Sequence, residues 1–559
     1  MLEISLPDAF QQAVLNSQSY PKNIIYKALD AYSKSLSRAE IRLHGREHDL
    51  FEDNESGWEV PIRDLDTECG KNVDKYNIHS RGKLLEWLGI ETQSPPQDSP
   101  IVMGRKKDPK CRFINIYGMH SRSKLRLSRA MLTDILTFHQ VMPVFLEFIY
   151  VFGQQSQPID LNFTGFREQV ILTNPPDCMI LPGLGRSGKH YQMCFILKGV
   201  SLKLENKEHF TLNKWSILPA AFHHQFDASN GNTLWIVVKG NQEIQQRFKA
   251  LTGENARAQD KSFGSVEESF RSSLSAQLVY CHWAMEDWRW YVLWLERAVD
   301  EKHLMAVLGP SGAGHAHKTY TPQDIQDLQI WEERTRQVIM ALEGNADVML
   351  SLAAFYRRLN RDKSFSLRKT CSLDISTFGN QVESIITDFR MQIKRAEFLV
   401  RTISDRRQLV IQHLQSQSAY RAERLGRSME QEQIFMLVIT IVTLIFLPAT
   451  FVSTFFSTDI VKYQGSESPG GSFSATAMHR WLEVTIPLTV LTCGVAWLAR
   501  RWTLTKRREG EVGLEQPTTS WKQKWSFGSS VTLLPFHNKS PETKISLLGR
   551  VMKGKSSIG

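Results

Sequence analysis

Twenty-three consecutive residues without a charge, Ile434 to Phe456, constrain this chain more than any other stretch. Fifteen of them are Ile, Leu, Val or Phe. At about −0.3 to −0.6 kcal/mol each near a helix centre, they favour insertion by on the order of −5 to −9 kcal/mol before positional and polar corrections. A second segment, Trp481 to Ala499, is shorter and holds Glu483 and Pro487, but its part from Val484 onward is free of charge. Both read as membrane spans, giving a two-helix hairpin over 434–499 with an external loop over 457–480.

The flanks orient the hairpin. Arg421, Arg424 and Arg427 precede the first span, and Arg500, Arg501, Lys506, Arg507 and Arg508 follow the second. The link between them has only Lys462 and Arg480. Basic residues stay inside, so both termini are expected in the cytoplasm. The N-terminus, MLEISLPDAFQQAVLNSQSY, carries early acids and no apolar core of a signal peptide.

Charge and cysteine narrow the rest. Lys and Arg outnumber Asp and Glu by 68 to 58, spread along the chain and without a nucleic-acid-reading motif. Seven scattered cysteines with no C-x-x-C pair argue for reduced thiols, not a disulfide framework. Residues 1–100 mix polar helix-like stretches with loops. Residues 101–262 hold strand-like CRFINIYG, YQMCFILKGVSLKL and TLWIVVKG around helix-like LSRAMLTDILTFHQVM, and predict a cytoplasmic α/β domain. Residues 263–433 predict a helical stalk domain. It begins with a tryptophan-rich stretch, AQLVYCHWAMEDWRWYVLWLERAV, suited to core packing.

From Asn380 the helical pattern joins the first span, and about 75 residues would form a rod of roughly 110 Å. Phe389, Ile393, Ala396, Val400, Ile403, Val410 and Leu414 form a heptad-like, coiled-coil seam, with Arg407 at the missing position. The seam must meet other helices, either copies of itself or an intramolecular bundle. The tail, 500–559, is basic and polar, and is expected to be disordered and to touch anionic lipid headgroups.

Three motifs are weighed and set aside. GLGRSGKH, Gly183 to His190, nearly fits a phosphate loop, but His190 stands where a Mg²⁺-binding hydroxyl belongs and no strong helix follows. GPSGAGHAHK, Gly309 to Lys318, has His315 for the phosphate-binding lysine and Ala316 for the hydroxyl. His223 and His224, near Asp227, are adjacent on a strand and point to opposite faces, a poor chelate. His315 and His317 are assigned nothing, and no catalytic constellation can be argued from spacing.

The first span is not uniformly apolar. Met436, Thr440, Thr443, Leu447, Thr450, Thr454 and Ser457 follow steps of 4, 3, 4, 3, 4 and 3 on one helix face. Two explanations fit. The face packs against another helix through small polar residues, or it lines a wet path formed by several copies. Ser457, Thr458 and Asp459 close the helix, and in a symmetric oligomer Asp459 becomes a ring that concentrates cations.

Those residues carry a resemblance. TIVTLIFLPATFVSTFF, the long preceding helix, the second span and the basic flank resemble the fungal branch of CorA-like divalent-cation transporters. SRSKLRLSRAMLTDILTFHQVMP, FTGFREQ, WSILPAAFHHQFD and TLWIVVKG are similar to that branch's cytoplasmic domain, so the resemblance covers about residues 75–505. It implies a CorA-like fold: an α/β cytoplasmic domain, long stalk helices and two C-terminal transmembrane helices. It also implies a homopentamer in lipid, with the first span lining the pore, and Mg²⁺ as transported and regulatory ion.

In that family Gly-Met-Asn follows the pore helix. Here Ser457, Thr458 and Asp459 occupy the three positions, after Phe456. Asp459 can accept hydrogen bonds from the water shell of Mg²⁺, an outer-sphere contact, as the family's Asn does. The resemblance suits Met436 and Leu447 to apolar constrictions and Thr450 and Thr454 to hydroxyl rings. The family's regulatory carboxylates find no residue-by-residue match in this chain, and Asp388 and Asp405 are stalk candidates. The expected function is passive passage of a divalent cation, Mg²⁺ first, or another such as Zn²⁺ or Co²⁺. A non-conducting scaffold or sensor is the competing class. The failed phosphate loops count against a nucleotide-dependent enzyme.

Overall fold

A computed structural model describes residues 4–27, 33–65, 73–93, 100–119, 123–154, 162–202, 214–239, 243–251, 253, 257, 262–308, 320–457 and 475–511. The chain divides into two compact units, Met1–Arg421 and Ala422–Gly559.

The first unit begins with β1 (Ile4–Ser5), α1 (Asp8–Leu15), α2 (Ser33–Gly45), α3 (Glu47–Leu50), β2 (Val60–Leu65), β3 (Val73–Ile78) and α4 (Arg81–Leu88). There follow β4 (Ile90–Gln93), β5 (Ile101–Gly104), β6 (Cys111–Tyr117), α5 (Arg129–Phe138), α6 (Phe145–Ile149) and β7 (Phe166–Ile171). The long strands β8 (His190–Leu202), β9 (Trp215–Asp227) and β10 (Thr233–Lys239) complete the sheet. The helices are α7 (Glu243–Leu251), α8 (Val266–Met285), α9 (Trp288–Leu308), α10 (Pro322–Arg361) and α11 (Ser372–Ser457). The last, α12 (Ala475–Glu511), belongs to the second unit.

Seven strands form one sheet in the order β3-β2-β6-β10-β9-β8-β7, and only β10 with β6 is parallel. β2 and β3 belong to it, and Ile62 pairs with Ile114 across β2 and β6. Helices α8 to α11 share a core with the sheet. Residue-by-residue alternation divides the two faces. On β10, Trp235 and Val237 enter the core beneath α8–α11, whereas Leu234, Ile236 and Val238 enter the one beneath α1, α5 and α6. With both faces covered, TLWIVVK is apolar almost throughout.

Three of the four tryptophans of α8 and α9, Trp283, Trp288 and Trp294, are buried packing residues, and Trp290 is exposed. Trp283 and Trp288 are fully buried, and Trp283 lies against Gly199, where an added Cβ would come within 2.6 Å of the indole. The seam of α11 is filled by the chain's own helices. Phe389, Ile403 and Val410 are buried in one cluster with Trp294, Leu295 and Trp331 of α9 and α10, and Ala396 is buried as well. Ion pairs lock it: Arg395 with Glu296, Arg406 with Asp300, and Arg407 with Glu332 at 2.8 Å. Of the two readings of the seam, the intramolecular bundle holds.

Asn345 of α10 hydrogen-bonds the backbone of the sheet. β7 runs out opposite Phe195, so the backbone of Lys198 extends past its last strand partner on that side. Asn345 replaces the missing strand. Its Oδ1 accepts from Lys198 N at 2.8 Å and its Nδ2 donates to Lys198 O at 2.7 Å. Replacing Asn345 by Leu would orphan both buried groups at about 1–3 kcal/mol each. We expect Asn345→Leu to lower the melting temperature of the full chain in detergent clearly more than Asn380→Leu, a change on the exposed face of α11.

Candidate functional site

Among the described residues, three helices are long and apolar enough to cross a membrane. In α10 the apolar window is 61% buried inside the protein, which makes it an interior helix; in α11 and α12 only 6% is buried. These two are the transmembrane helices, and this is a membrane protein.

In α11, Met436, Thr440, Thr443, Leu447, Thr450, Thr454 and Ser457 are all exposed in the protomer. Each hydroxyl on that stripe turns back on its own helix. Thr440 donates to Met436 O at 2.7 Å, Thr443 to Ile439 O at 2.8 Å, and Thr450 to Leu447 O at 3.0 Å. Thr454 donates to Thr450 O, and Ser457 to Thr454 O at 2.8 Å. The protons are thereby spent, and lone pairs of the oxygens remain as acceptors.

The face that α11 turns to α12 is a different one. Pro448 and Val452 are buried and Leu444 is half-buried there. Trp481 of α12 donates to Ser453 Oγ at 3.0 Å. From α12 come Thr485, which is buried, and Thr489, Thr492 and Ala496, which are half-buried, at steps of 4, 3 and 4. This second small-residue face was overlooked in the sequence, although it carries the same spacing signal as the first. Within the second unit, then, the threonines that serve helix packing are those of α12. Thr440, Thr443 and Leu447 edge a groove of about 270 Å³ with Thr492 on its other side. Thr458 and Asp459 lie outside the described residues, as do the rest of the external loop, GPSGAGHAHK with His315 and His317, and the tail past residue 511.

Elsewhere the candidates separate. Asp388 and Asp405 are exposed, and no group of three or more His, Cys, Asp or Glu able to share a metal occurs among the described residues. GLGRSGKH forms a short 3-10 turn and a loop leading into β8, with no helix after it, so it makes no phosphate loop.

His223 and His224 point to opposite faces of β9 and are fully buried. His223 Nε2 donates to Gln192 Oε1 at 3.1 Å, and its ring packs against Phe145. His224 stacks on Trp235; its Nδ1 donates to Leu234 O at 3.3 Å while its Nε2 accepts from Ser273 Oγ at 2.8 Å. Burial pushes both imidazoles down to about 3, with His224 and His190 adding to the shift of His223. Such depressed groups stabilise the fold fully above the ordinary histidine pKa, and that contribution is lost as pH falls toward 3. Between pH 7 and pH 5 each should cost about 1–2 kcal/mol. The melting temperature should therefore fall on acidification, and fall less steeply in His224→Phe than in the parent chain.

The CorA-like transporters match residues 12–307, just over half of the chain. No curated protein matches it. Among solved structures, the CorA magnesium transporter from Methanocaldococcus jannaschii is similar at 8% identity, with a TM-score of 0.32. That alignment covers 78% of this chain and 96% of that one. The full-length CmaX protein is similar at 10% identity, with a TM-score of 0.30, covering 80% of this chain and 99% of that one. The match over residues 12–307 takes in the seven-stranded sheet and helices α2 to α8, and by it the chain belongs to the CorA-like transporter family.

Proposed function

We propose that this protein is a passive divalent-cation channel in which several copies of α11 bring their threonine faces around water. The observation that carries the reading is the state of the five hydroxyls. A hydrated cation presents water hydrogens outward and needs acceptors around it. On this stripe every hydroxyl proton is already bound to a backbone carbonyl, and the side chains are exposed in the single chain. Met436 and Leu447, 65% and 60% exposed on the same face, suit apolar necks that close by dewetting.

Mg²⁺ is the ion this chemistry favours, because it gives up its water shell reluctantly and can be held through it. Asp459, with Ser457 and Thr458, would form the entry ring and accept from the same shell. Family resemblance supports a homopentamer. The arginine flanks, with Arg421, Arg424, Arg427, Arg500 and Arg501 all exposed, support termini on the cytoplasmic side. Co²⁺ or Zn²⁺ passage is the nearest variant of this reading.

A second reading has one observation in its favour: Ser457-Thr458-Asp459 stands where the resemblance expects Gly-Met-Asn. Such a chain would be a non-conducting scaffold or sensor. Purified protein in liposomes, tested for flux of Mg²⁺, Co²⁺, Ni²⁺ and Zn²⁺, separates the two. Leu447→Trp should abolish flux with the oligomer intact, whereas in a scaffold it would change assembly or nothing.

Asp459→Ala should lower Mg²⁺ flux by about tenfold or more, the worth of one charge-assisted hydrogen bond. Full Mg²⁺-dependent growth supported by that variant would remove Asp459 from the entry ring.

A further inference from the structure

A cavity of about 50 Å³ lies in the first unit, where the end of α5, the loop before β8 and strands β6 and β9 meet. One water needs only ~10–15 Å³, so several atoms fit, but a nucleotide does not. Three of the residues that line it, Arg112, Arg186 and His139, each keep one buried nitrogen without a hydrogen-bond partner: Nη1, Nη2 and Nε2 respectively.

The remaining nitrogens of the two guanidiniums are engaged. Arg112, 2% exposed, gives Nε and Nη2 to Asp64 at 2.8 Å each, while its Nη1 lies 3.8 Å from Asp108 Oδ1, beyond hydrogen-bond reach. Arg186 gives Nε to Asp108 Oδ2 at 2.6 Å and Nη1 to Phe138 O at 2.7 Å. Asp227, the other carboxylate of the cavity, is saturated from its own loops by Ser187 N and Oγ, Ser229 N and Asn230 N. Positive potential at this end shows at His139. Burial first, then the charges of Arg112 and Arg186, hold its imidazole well below the usual range.

Arg186 reaches the cavity from GLGRSGKH, held in a turn by Gly185 and Gly188 at φ +81° and +78°. The motif that fails as a phosphate loop thus supplies a guanidinium with one N–H unspent.

We propose that this cavity binds a small oxyanion, the size of phosphate, sulfate or a carboxylate group, through Arg112 Nη1, Arg186 Nη2 and His139 Nε2. The anion would satisfy the three orphaned nitrogens and tie β6, the end of α5 and the loop before β8 together. A guanidinium donating to an oxyanion makes a charge-assisted bond stronger than one to water. The proposal stands whether or not the chain conducts.

Phosphate, sulfate and acetate can be titrated separately into the full chain in detergent at constant ionic strength. Cys178, half-exposed at the cavity wall, serves as a second reporter through maleimide labelling mapped by mass spectrometry. We expect saturable uptake of about one phosphate per chain, with Cys178 labelling slowed at least about threefold, as for a ligand occupying a largely pre-formed pocket. Competition by sulfate alone assigns a tetrahedral anion, and competition by acetate a carboxylate. Arg186→Gln should weaken phosphate binding about tenfold, the loss of one charge-assisted bond. If that variant does not fold, His139→Gln should weaken it measurably with the fold retained. No saturable uptake of any of the three anions overturns the proposal. So do uptake that leaves Cys178 labelling unchanged, and a density map of the phosphate-soaked protein with water alone in the cavity.

Discussion

In hydrocarbon no polar hydrogen can be left bare, and that constraint governs the C-terminal half of α11. Each hydroxyl of its stripe meets the demand within the helix, by donating to a carbonyl three or four residues back. The stripe therefore needs no partner helix to be satisfied. Its oxygens keep acceptor capacity, and the face remains available to whatever the assembly places against it. Packing inside the hairpin is left to other residues: Leu444, Pro448 and Val452 from α11, and Thr485, Thr489 and Thr492 from α12. A helix that used its threonines as packing residues would show them buried against its neighbour, and here it is the threonines of α12 that are.

The first unit is held by a different logic. Its sheet is apolar on both faces, so polar backbone left over where a strand stops must be met from outside the sheet. Asn345 does this for Lys198, in the way a further strand would. The upstream part of α11 is tied into the same core by Phe389, Ile403 and Val410, and by arginines paired to acids of α9 and α10. Arg407, the residue that breaks the apolar heptad, is one of them. Its charge sits at the rim of the bundle, where Glu332 of α10 meets it.

Much of this was legible in the sequence where a single period dominates. CRFINIYG, YQMCFILKGVSLKL and TLWIVVKG are β6, β8 and β10, and LSRAMLTDILTFHQVM contains α5. The opposite faces of His223 and His224 followed from the strand period alone. The pairing of β2, VPIRDL, with β6 was not legible, because the strand is short and the pairing is a non-local contact that composition does not report. The closure of the seam by α9 and α10 was invisible for the same reason. A heptad pattern states that a face is buried, not which helices bury it. The orphaned nitrogens of Arg112 and His139 were beyond reach as well. Nothing local distinguishes an arginine with all its donors spent from one with a donor left over.

What the chain does rests on where the threonine faces of several copies meet. The most direct measurement is a density map of the assembled full chain in a lipid bilayer, fine enough to place side chains and ordered water. The account predicts that Thr440, Thr443, Thr450 and Thr454 of every copy face one axial, water-filled path, narrowed at Met436 and Leu447. Those same residues sealed in a dry contact between helices, or turned toward the acyl chains, would contradict it.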